Sequence, residues 1–317
     1  MPEANIFRKS QRMHEWQRNK GNDHWWPRGL QKYWCNAEGQ ILVTSPTSGT
    51  ESRSKANKKI GMRRGWHHLD FGGSPWTHSF EKDFGEIDNQ ITGVIDWINE
   101  NIRPSSPEFR SMLPKWITQS LTVKDEVKFL PSQLEATLLE MIISLLVRLP
   151  AFKDFHGKHP CLWGLPEDER IGTAEIKRYY NYARSILKRS VPSGFYLFLH
   201  SGSGRFVYGD GLMDNLSSSL IGMSLRGHCL VPLTPSFCLF FTTSINSSYS
   251  RRVNCISVDG DVLHEVNEIA NIYSSKVLFS NYADLEIFEK PKPDRHYIVE
   301  FHRTMLIDSF LEGALFR

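Results

Sequence analysis

The interval between apolar residues changes close to Pro192, and this change limits the possible folds more than any other feature of the sequence. Upstream, apolar residues recur every three or four positions, which is the spacing of a helix with one buried face. Downstream, they form short runs bounded by turn residues, which is typical of strands. The order predicts an α+β fold, with a mainly helical N-terminal half and a mostly antiparallel sheet with flanking helices in the C-terminal half.

Individual elements follow from the same patterns. Helices are predicted over residues 79–103, from 106, after Pro131, over 173–189, after Asp261 and over 297–316. Ser132 and Glu135 have the spacing of a capping box at the start of the third helix. Runs at 195–200 and 205–208 flank Ser-Gly-Ser-Gly and predict a hairpin. The polar, small and cationic residues 44–61 predict a mobile loop.

The length of the chain bounds the number of domains. With 317 residues, of which 40% are hydrophobic, the chain is long enough to bury a substantial core. Residues 1–23 are predicted to form a basic and aromatic N-terminal tail. Residues 24–317 are predicted to form a single α+β domain, with a helical subdomain over about 66–190 and a sheet-rich subdomain over about 191–317.

Positive charge is concentrated near the N-terminus. Residues 1–65 hold 13 Lys and Arg against 5 Asp and Glu, whereas the rest of the chain holds 25 against 30. Cations neutralise phosphates and aromatic rings stack on unpaired bases, so we expect Trp25, Trp26, Arg28 and Lys32 to bind substrate, with single-stranded nucleic acid as the candidate. The alternative is a solvated tail whose tryptophans pack back onto the domain.

Cysteine usage and hydropathy bear on the compartment. The five cysteines include no Cys-x-x-Cys pair, which favours free thiols over a zinc site or a disulfide framework. No apolar run follows the N-terminal charges, so no secretory signal is evident. The apolar segment Leu134–Leu149 is shorter than the roughly 20 residues needed to span a bilayer and includes charged residues. We therefore expect an intracellular, cytoplasmic protein with no membrane partner.

Four ionisable residues beside apolar segments are candidate catalytic residues. His24 is a candidate general base, metal ligand or structural histidine. Glu81 and Asp88 project from nearly the same side of a helix, but their separation of about 10 Å along the axis prevents them from sharing one metal ion. Arg148 ends the most apolar helix and is a candidate partner for these carboxylates, because an unpaired buried charge is costly. The alternative is a buried ion pair that fixes two helices.

Three polar residues in the second half of the chain complete the candidate site. Asp210 follows a predicted strand and is the fifth candidate catalytic residue, although Gly-Asp-Gly is also ordinary turn chemistry. His228 precedes a strand, and Asn271 lies inside a predicted helix, where asparagine is unfavourable unless it bonds something specific. We expect His228 and Asn271 to contribute to substrate binding.

Several common catalytic signatures are absent from the sequence. It contains no Gly-x-x-x-x-Gly-Lys-Ser/Thr phosphate loop, no His-Glu-x-x-His and no Gly-x-Ser-x-Gly elbow. These absences argue against the nucleotide hydrolases, zinc proteases and α/β-hydrolases that carry these motifs.

The order of the landmarks resembles that of the domain of unknown function 4238 family. The matching positions are His24-Trp25-Trp26-Pro27, Gly39–Val43, Glu81 with Asp88, Arg148-Leu149-Pro150, Asp210, Pro232–Pro235 and Asn271. The chain departs from the family pattern at Gly211-Leu212, where a proline usually follows the aspartate, and at Asp88, where Glu is common. The resemblance implies a set of site residues and no particular reaction.

Two functions are compatible with these features. The first is a hydrolase acting on a phosphate-containing substrate, with nucleic acid as the candidate and a defence or toxin-like role conceivable. In it His24 is a base or metal ligand, Glu81, Asp88 and Asp210 orient it or hold a divalent ion, and Arg148 stabilises negative charge. The second is a non-catalytic module that binds nucleic acid or protein, whose polar residues lock the N-terminal segment onto the domain.

Overall fold

The computed structural model describes residues 22–55, 60–69, 78–104, 128–192, 194–222, 224–243, 251–258 and 260–283. Three predictions lie outside these residues. They are the tail up to residue 21, the helix from residue 106 and the terminal helix over 297–316.

The described chain contains groups of strands separated by helices. The strands are β1 (Asn22–His24), β2 (Gln40–Thr44), β3 (Glu51–Lys55), β4 (Met62–Arg64), β5 (His68–Leu69), β6 (His78–Ser79), β7 (Lys128–Phe129), β8 (Gly194–Ser201), β9 (Tyr208–Gly209), β10 (His228–Thr234), β11 (Phe237–Thr243), β12 (Arg252–Val258) and β13 (Leu278–Ser280). The helices are α1 (Arg28–Gln31), α2 (Gly85–Asn101), α3 (Ser132–Arg148), α4 (Pro150–Gly157), α5 (Glu169–Arg189) and α6 (Asp261–Tyr273). Short 3₁₀ turns cover Lys32–Trp34, Glu81–Phe84, His159–Trp163 and Ser217–Gly222.

Two larger sheets and two strand pairs confirm the α+β class. The five-stranded sheet has the order β10-β11-β8-β12-β7, in which β8 and β12 are parallel and the other neighbours are antiparallel. The four-stranded sheet has the antiparallel order β3-β2-β13-β9. Strand β1 pairs with β4, and β5 pairs with β6. Because β2 and β3 share a sheet with β9 and β13, the strands are not confined to the C-terminal half.

Two local predictions about strands are wrong. The run at 195–200 forms β8, which pairs with β11 and β12, whereas Tyr208–Gly209 joins the other sheet. The expected hairpin fails because longer buried strands occupy both edges of β8. Residues 56–59 of the predicted loop over 44–61 lie outside the described residues, but Glu51–Lys55 pairs with β2 over its whole length. Backbone hydrogen bonds at an exposed, polar sheet edge thus order a segment whose composition predicts a loop.

The helices bury the faces that their apolar spacing predicts. Helix α2 buries five β-branched residues, Ile87, Ile91, Val94, Ile95 and Ile98. Helix α3 packs against α2 and α5, and α4 packs against α5. The buried residues of the helices and the five-stranded sheet form one continuous core. No helix in the described part of the chain combines the length and hydropathy required to cross a membrane.

The predicted capping box of α3 is wrong. Pro131 occupies the cap position, and no side chain caps the helix. Glu135 is buried and accepts a hydrogen bond from the Tyr196 hydroxyl at 3.0 Å. A carboxylate that faces the core satisfies a buried phenol and is not available to the helix terminus. Helix α5 begins earlier than residue 173, because Asp168 caps it by accepting from the Arg170 backbone N–H.

Candidate functional site

The segment that follows β1 is held to the domain by its tryptophans. The Trp26 ring is fully buried and stacks on Tyr208 and Phe279, with centroid distances of 5.1 and 4.3 Å. Trp25 is also buried and packs against Phe279 at 5.8 Å. Rings whose faces are covered by protein cannot stack on a base, so these tryptophans serve packing, as the alternative interpretation of the tail expects.

A glycine and a glutamine fix the backbone around Trp26. The Trp26 N–H donates to the Gly61 carbonyl at 3.2 Å, and the Gln31 side chain donates to the carbonyls of Trp26 and Ile60 at 2.9 and 3.0 Å. Gly61 has a φ of +60°, and a Cβ atom there would lie 2.4 Å from the Trp26 Cβ. The close approach therefore requires glycine, and it sets the position of His24 two residues earlier.

Four of the five predicted catalytic residues come together with one histidine that the sequence analysis missed. We call His24, His67, Glu81, Asp88 and Arg148 the His24 cluster. The His24 backbone N–H donates to Glu81 Oε1 at 3.4 Å, and His67 Nδ1 contacts Glu81 Oε2. Arg148 donates to both oxygens of Asp88, at 3.0 and 2.7 Å. The charges of Asp88 and Arg148 also act on His24, so the five groups form one electrostatic unit.

Arg148 and Asp88 form a buried ion pair. Arg148 is fully buried, its Nε donates to the Ser144 carbonyl at 3.0 Å, and its guanidinium lies 4.4 Å from the Phe84 ring centre. Burial alone would lower the pKa of Arg148, but the Asp88 carboxylate outweighs it and raises that pKa above its usual value. The guanidinium is therefore charged and engaged inside the protein, which corresponds to the ion-pair alternative considered for these residues.

His67 is the functional candidate that sequence reasoning missed. It is fully buried, and its ring packs between Phe80 and Phe84 at 5.4 and 4.8 Å. Its backbone N–H donates to Asp23 Oδ2 at 2.7 Å. No motif or periodic spacing links position 67 to Glu81, so only the fold reveals the contact.

The half-buried ring of His24 faces a cation. Arg28 is exposed, and its Nε donates to His24 Nε2 at 3.1 Å. Burial and the Arg28 charge lower the pKa of His24, and Glu81 partly opposes them. The ring is therefore neutral at pH ~7, with Nε2 as acceptor and the proton on Nδ1. A neutral imidazole of this kind can accept a proton.

Glu81 is the ionised partner in the same cluster. Burial alone would raise the pKa of Glu81, but the hydrogen bond from His67 and the charge of Arg148 outweigh it and lower that pKa. Its side chain is 33% exposed, so the carboxylate reaches the surface of the protein. The cluster thus presents a charged carboxylate and a neutral imidazole side by side.

Asp210 makes its contacts elsewhere. Its carboxylate accepts from the backbone N–H groups of Ser275 and Lys276 at 2.7 and 3.0 Å, and from the Ser275 hydroxyl at 3.1 Å. Burial raises its pKa, and these hydrogen bonds partly oppose the rise. A Cβ at Gly211 would lie 1.9 Å from the Tyr273 carbonyl oxygen. The Gly-Asp-Gly sequence therefore fixes the conformation of the turn after α6.

The remaining predicted site residues make separate contacts. His228 is buried at the start of β10, its backbone N–H donates to Asn215 Oδ1 at 2.5 Å, and burial lowers its pKa to about 4. Asn271 is buried on α6. Lys32 is exposed, with its ammonium 4.5 Å from the Tyr33 ring centre.

Two further findings bear on the site. Among the residues that the structure describes, no group of three or more His, Cys, Asp and Glu side chains is arranged to hold a metal ion. Comparisons with protein-family models, curated proteins and solved structures found no match to this chain.

Proposed function

We propose that this chain is a cytoplasmic hydrolase of the domain of unknown function 4238 family, and that it acts on a phosphate-containing substrate, nucleic acid in particular, at the His24 cluster. The observation that carries the proposal is the arrangement around one imidazole. The neutral, half-buried ring of His24 accepts from the exposed Arg28 guanidinium, and the ionised Glu81 carboxylate receives the His24 backbone N–H. Such a site offers a proton acceptor and an anion-binding group within one hydrogen-bond length of each other.

Arg28 makes the availability of His24 as a base depend on substrate binding. Its guanidinium donates to His24 Nε2, which occupies the lone pair that would accept a proton. A phosphate oxygen is a stronger acceptor for a guanidinium than a neutral imidazole nitrogen, because it is negatively charged and can accept two parallel N–H···O bonds from one arginine. Phosphate binding would therefore draw Arg28 away, and His24 Nε2 would take the proton of an attacking water as the water oxygen bonds to phosphorus and the bond from phosphorus to the leaving oxygen breaks. The leaving oxygen would take a proton from solvent, and His24 would then return its own proton to solvent.

Cations beside the site support a polyanionic substrate. Strand β4 pairs with β1 so that Arg64 lies opposite Asn22 and Arg63 opposite Asp23. Both arginines are exposed, as are Arg28 and Lys32. Because Trp25 and Trp26 are buried, contact with nucleic acid would rely on the phosphate backbone rather than on these rings.

A cleavage assay tests the proposal. The purified protein is incubated with end-labelled single-stranded RNA, single-stranded DNA and nucleotides, in parallel with Mg²⁺, with Mn²⁺ and with EDTA. We expect cleavage that His24→Ala lowers by roughly 100-fold or more, as for loss of a general base. His264→Ala, which replaces an exposed histidine on α6, serves as the matched control. Substrates left intact under all three conditions would argue against the hydrolase.

The alternative, a non-catalytic binding module, also has an observation in its favour. The His24 backbone N–H donates to Glu81 and the Asp23 carboxylate accepts from the His67 backbone N–H, so polar groups of the cluster hold the N-terminal segment to the domain. If the cluster only holds the N-terminal segment in place, His24→Ala should lower the melting temperature. Any loss of nucleic-acid binding should then match the loss of folded protein. If His24 is the base, the variant should lose less than about 1 kcal/mol of stability and still bind substrate.

A further inference from the structure

His67 contacts Asp23, which precedes His24 in the chain, and Glu81, which binds the His24 backbone. Its ring Nδ1 contacts Glu81, which receives the His24 backbone N–H, and its own backbone N–H donates to Asp23. We propose that His67 is a positioning residue, which holds Glu81 in the orientation that receives the His24 backbone and thereby fixes the imidazole of His24 at the site. The inference deepens the proposed function and rests on it for the effect on catalysis.

The surroundings of His67 decide which of its nitrogens carries the proton. Nε2 is buried and has no hydrogen-bond partner among the described residues, whereas Nδ1 faces the Glu81 carboxylate. A proton on Nε2 would bury an unpaired N–H and would set a lone pair of Nδ1 against the carboxylate oxygens. The proton is therefore on Nδ1, and the ring donates to Glu81.

The packing of the ring makes this hydrogen bond stiff. Phe80 and Phe84 contact the imidazole, and the residue has no exposed surface. A donor held by packing fixes its acceptor, so Glu81 Oε1 stays directed at the His24 N–H although the Glu81 side chain reaches solvent. The hydrogen bond from Nδ1 can therefore be tested apart from the volume of the side chain and from the backbone hydrogen bond to Asp23.

Two substitutions at position 67 make this separation. His67→Leu keeps an apolar side chain of similar size in the pocket and removes the donor. His67→Asn carries an amide nitrogen close to the position of Nδ1 and keeps the donor. The first measurement is amide hydrogen exchange at His24, read by NMR. We expect roughly tenfold faster exchange in His67→Leu, from loss of a hydrogen bond to a charged group, and exchange close to wild type in His67→Asn.

The second measurement is the rate of substrate cleavage. His67→Leu should lower kcat by about 10- to 100-fold, as for a small misplacement of the base, and His67→Asn should restore most of it. His264→Ala should alter neither the exchange nor the rate. If His67→Leu does not fold, Glu81→Gln tests the same hydrogen bond from its partly exposed partner and should accelerate exchange at His24.

The two measurements separate the inference from the proposed function. If the wild-type protein cleaves nothing but exchange at His24 follows the pattern above, the positioning role stands and the hydrolase fails. If His67→Leu and Glu81→Gln both leave exchange at His24 unchanged, His67 does not position this segment. Equal loss of activity in folded His67→Leu and His67→Asn would likewise overturn the inference.

Discussion

The Arg148–Asp88 pair gives the sharpest prediction for stability. Replacing Asp88 by Ala removes the counter-charge that contacts the buried guanidinium, although the Ser144 carbonyl and the Phe84 ring remain beside it. Removing one partner of a buried ion pair costs about 3–5 kcal/mol. The Asp88 side chain is 26% exposed, so water can approach the vacated side. We therefore expect Asp88→Ala to cost about 3 kcal/mol, the lower end of that range.

Replacing the other member of the pair, Arg148, should lower the free energy of unfolding by less. Arg148→Met fills the same volume with an apolar side chain and leaves behind Asp88, which is partly exposed and can be hydrated. We expect a cost of about 1–2 kcal/mol, below the roughly 3–5 kcal/mol for leaving a fully buried charge unpaired, because water can solvate the carboxylate that remains. The double variant should cost less than the sum of the single ones, with a coupling of about 2 kcal/mol.

Urea unfolding at neutral pH measures all four proteins of this cycle. The coupling should change little between low and high salt, because a buried pair is screened less than a surface pair. A coupling below about 0.5 kcal/mol would refute the reasoning, since distant, independent sites add to within that margin. It would refute the assignment of Arg148 as a structural cation as well.

Three further predictions concern the second half of the chain and the start of α2. Gly211→Ala should lower the free energy of unfolding by more than about 3 kcal/mol, because its Cβ would lie 1.9 Å from the Tyr273 carbonyl oxygen. Gly85→Ala is the control: its Cβ would meet nothing within 4 Å, and the substitution should stabilise the protein by up to about 1 kcal/mol. Thermal unfolding measures both. Burial lowers the pKa of His228 to about 4 in the folded protein. Between about pH 6.5 and pH 4 this residue is therefore protonated in the unfolded chain and neutral in the folded protein. Stability should therefore fall as the pH is lowered through that window, by about 3 kcal/mol from this residue, and urea unfolding of His228→Gln should lack that part. Asp210→Asn should cost about 1–3 kcal/mol in the same assay, because one oxygen that accepts hydrogen bonds becomes a donor.

Periodic apolar patterns predict the helices well because each helix buries a face that its own sequence defines. The apolar spacing over 79–103 yields α2 over Gly85–Asn101, preceded by a 3₁₀ turn. The hairpin prediction fails because the partner of a strand is chosen by all the strands that compete for its edges. The capping box fails for a similar reason, since Glu135 contacts Tyr196, a residue 61 positions away.

The site was predictable to a different extent for each residue. Glu81, Asp88 and Arg148 stand beside apolar faces, and the cost of burying an unpaired charge implies that they find partners. His24 was singled out by its aromatic surroundings and by the family resemblance. Nothing in the sequence singles out His67, because its contact with Glu81 depends on how the segment around β5 folds over Phe80 and Phe84.

The charges of the cluster explain why substrate and base would depend on each other. Arg148 and Asp88 balance one another, which leaves the negative charge of Glu81 and the positive charge of Arg28 acting on His24. Burial and Arg28 hold the pKa of His24 below its usual value, so the resting imidazole is a weak base. A phosphate that neutralises Arg28 removes one of these two causes, while Glu81 continues to favour the protonated ring. Under the proposed function, His24 would therefore be a stronger base with an anion bound, and proton transfer from water would be easier with substrate in place.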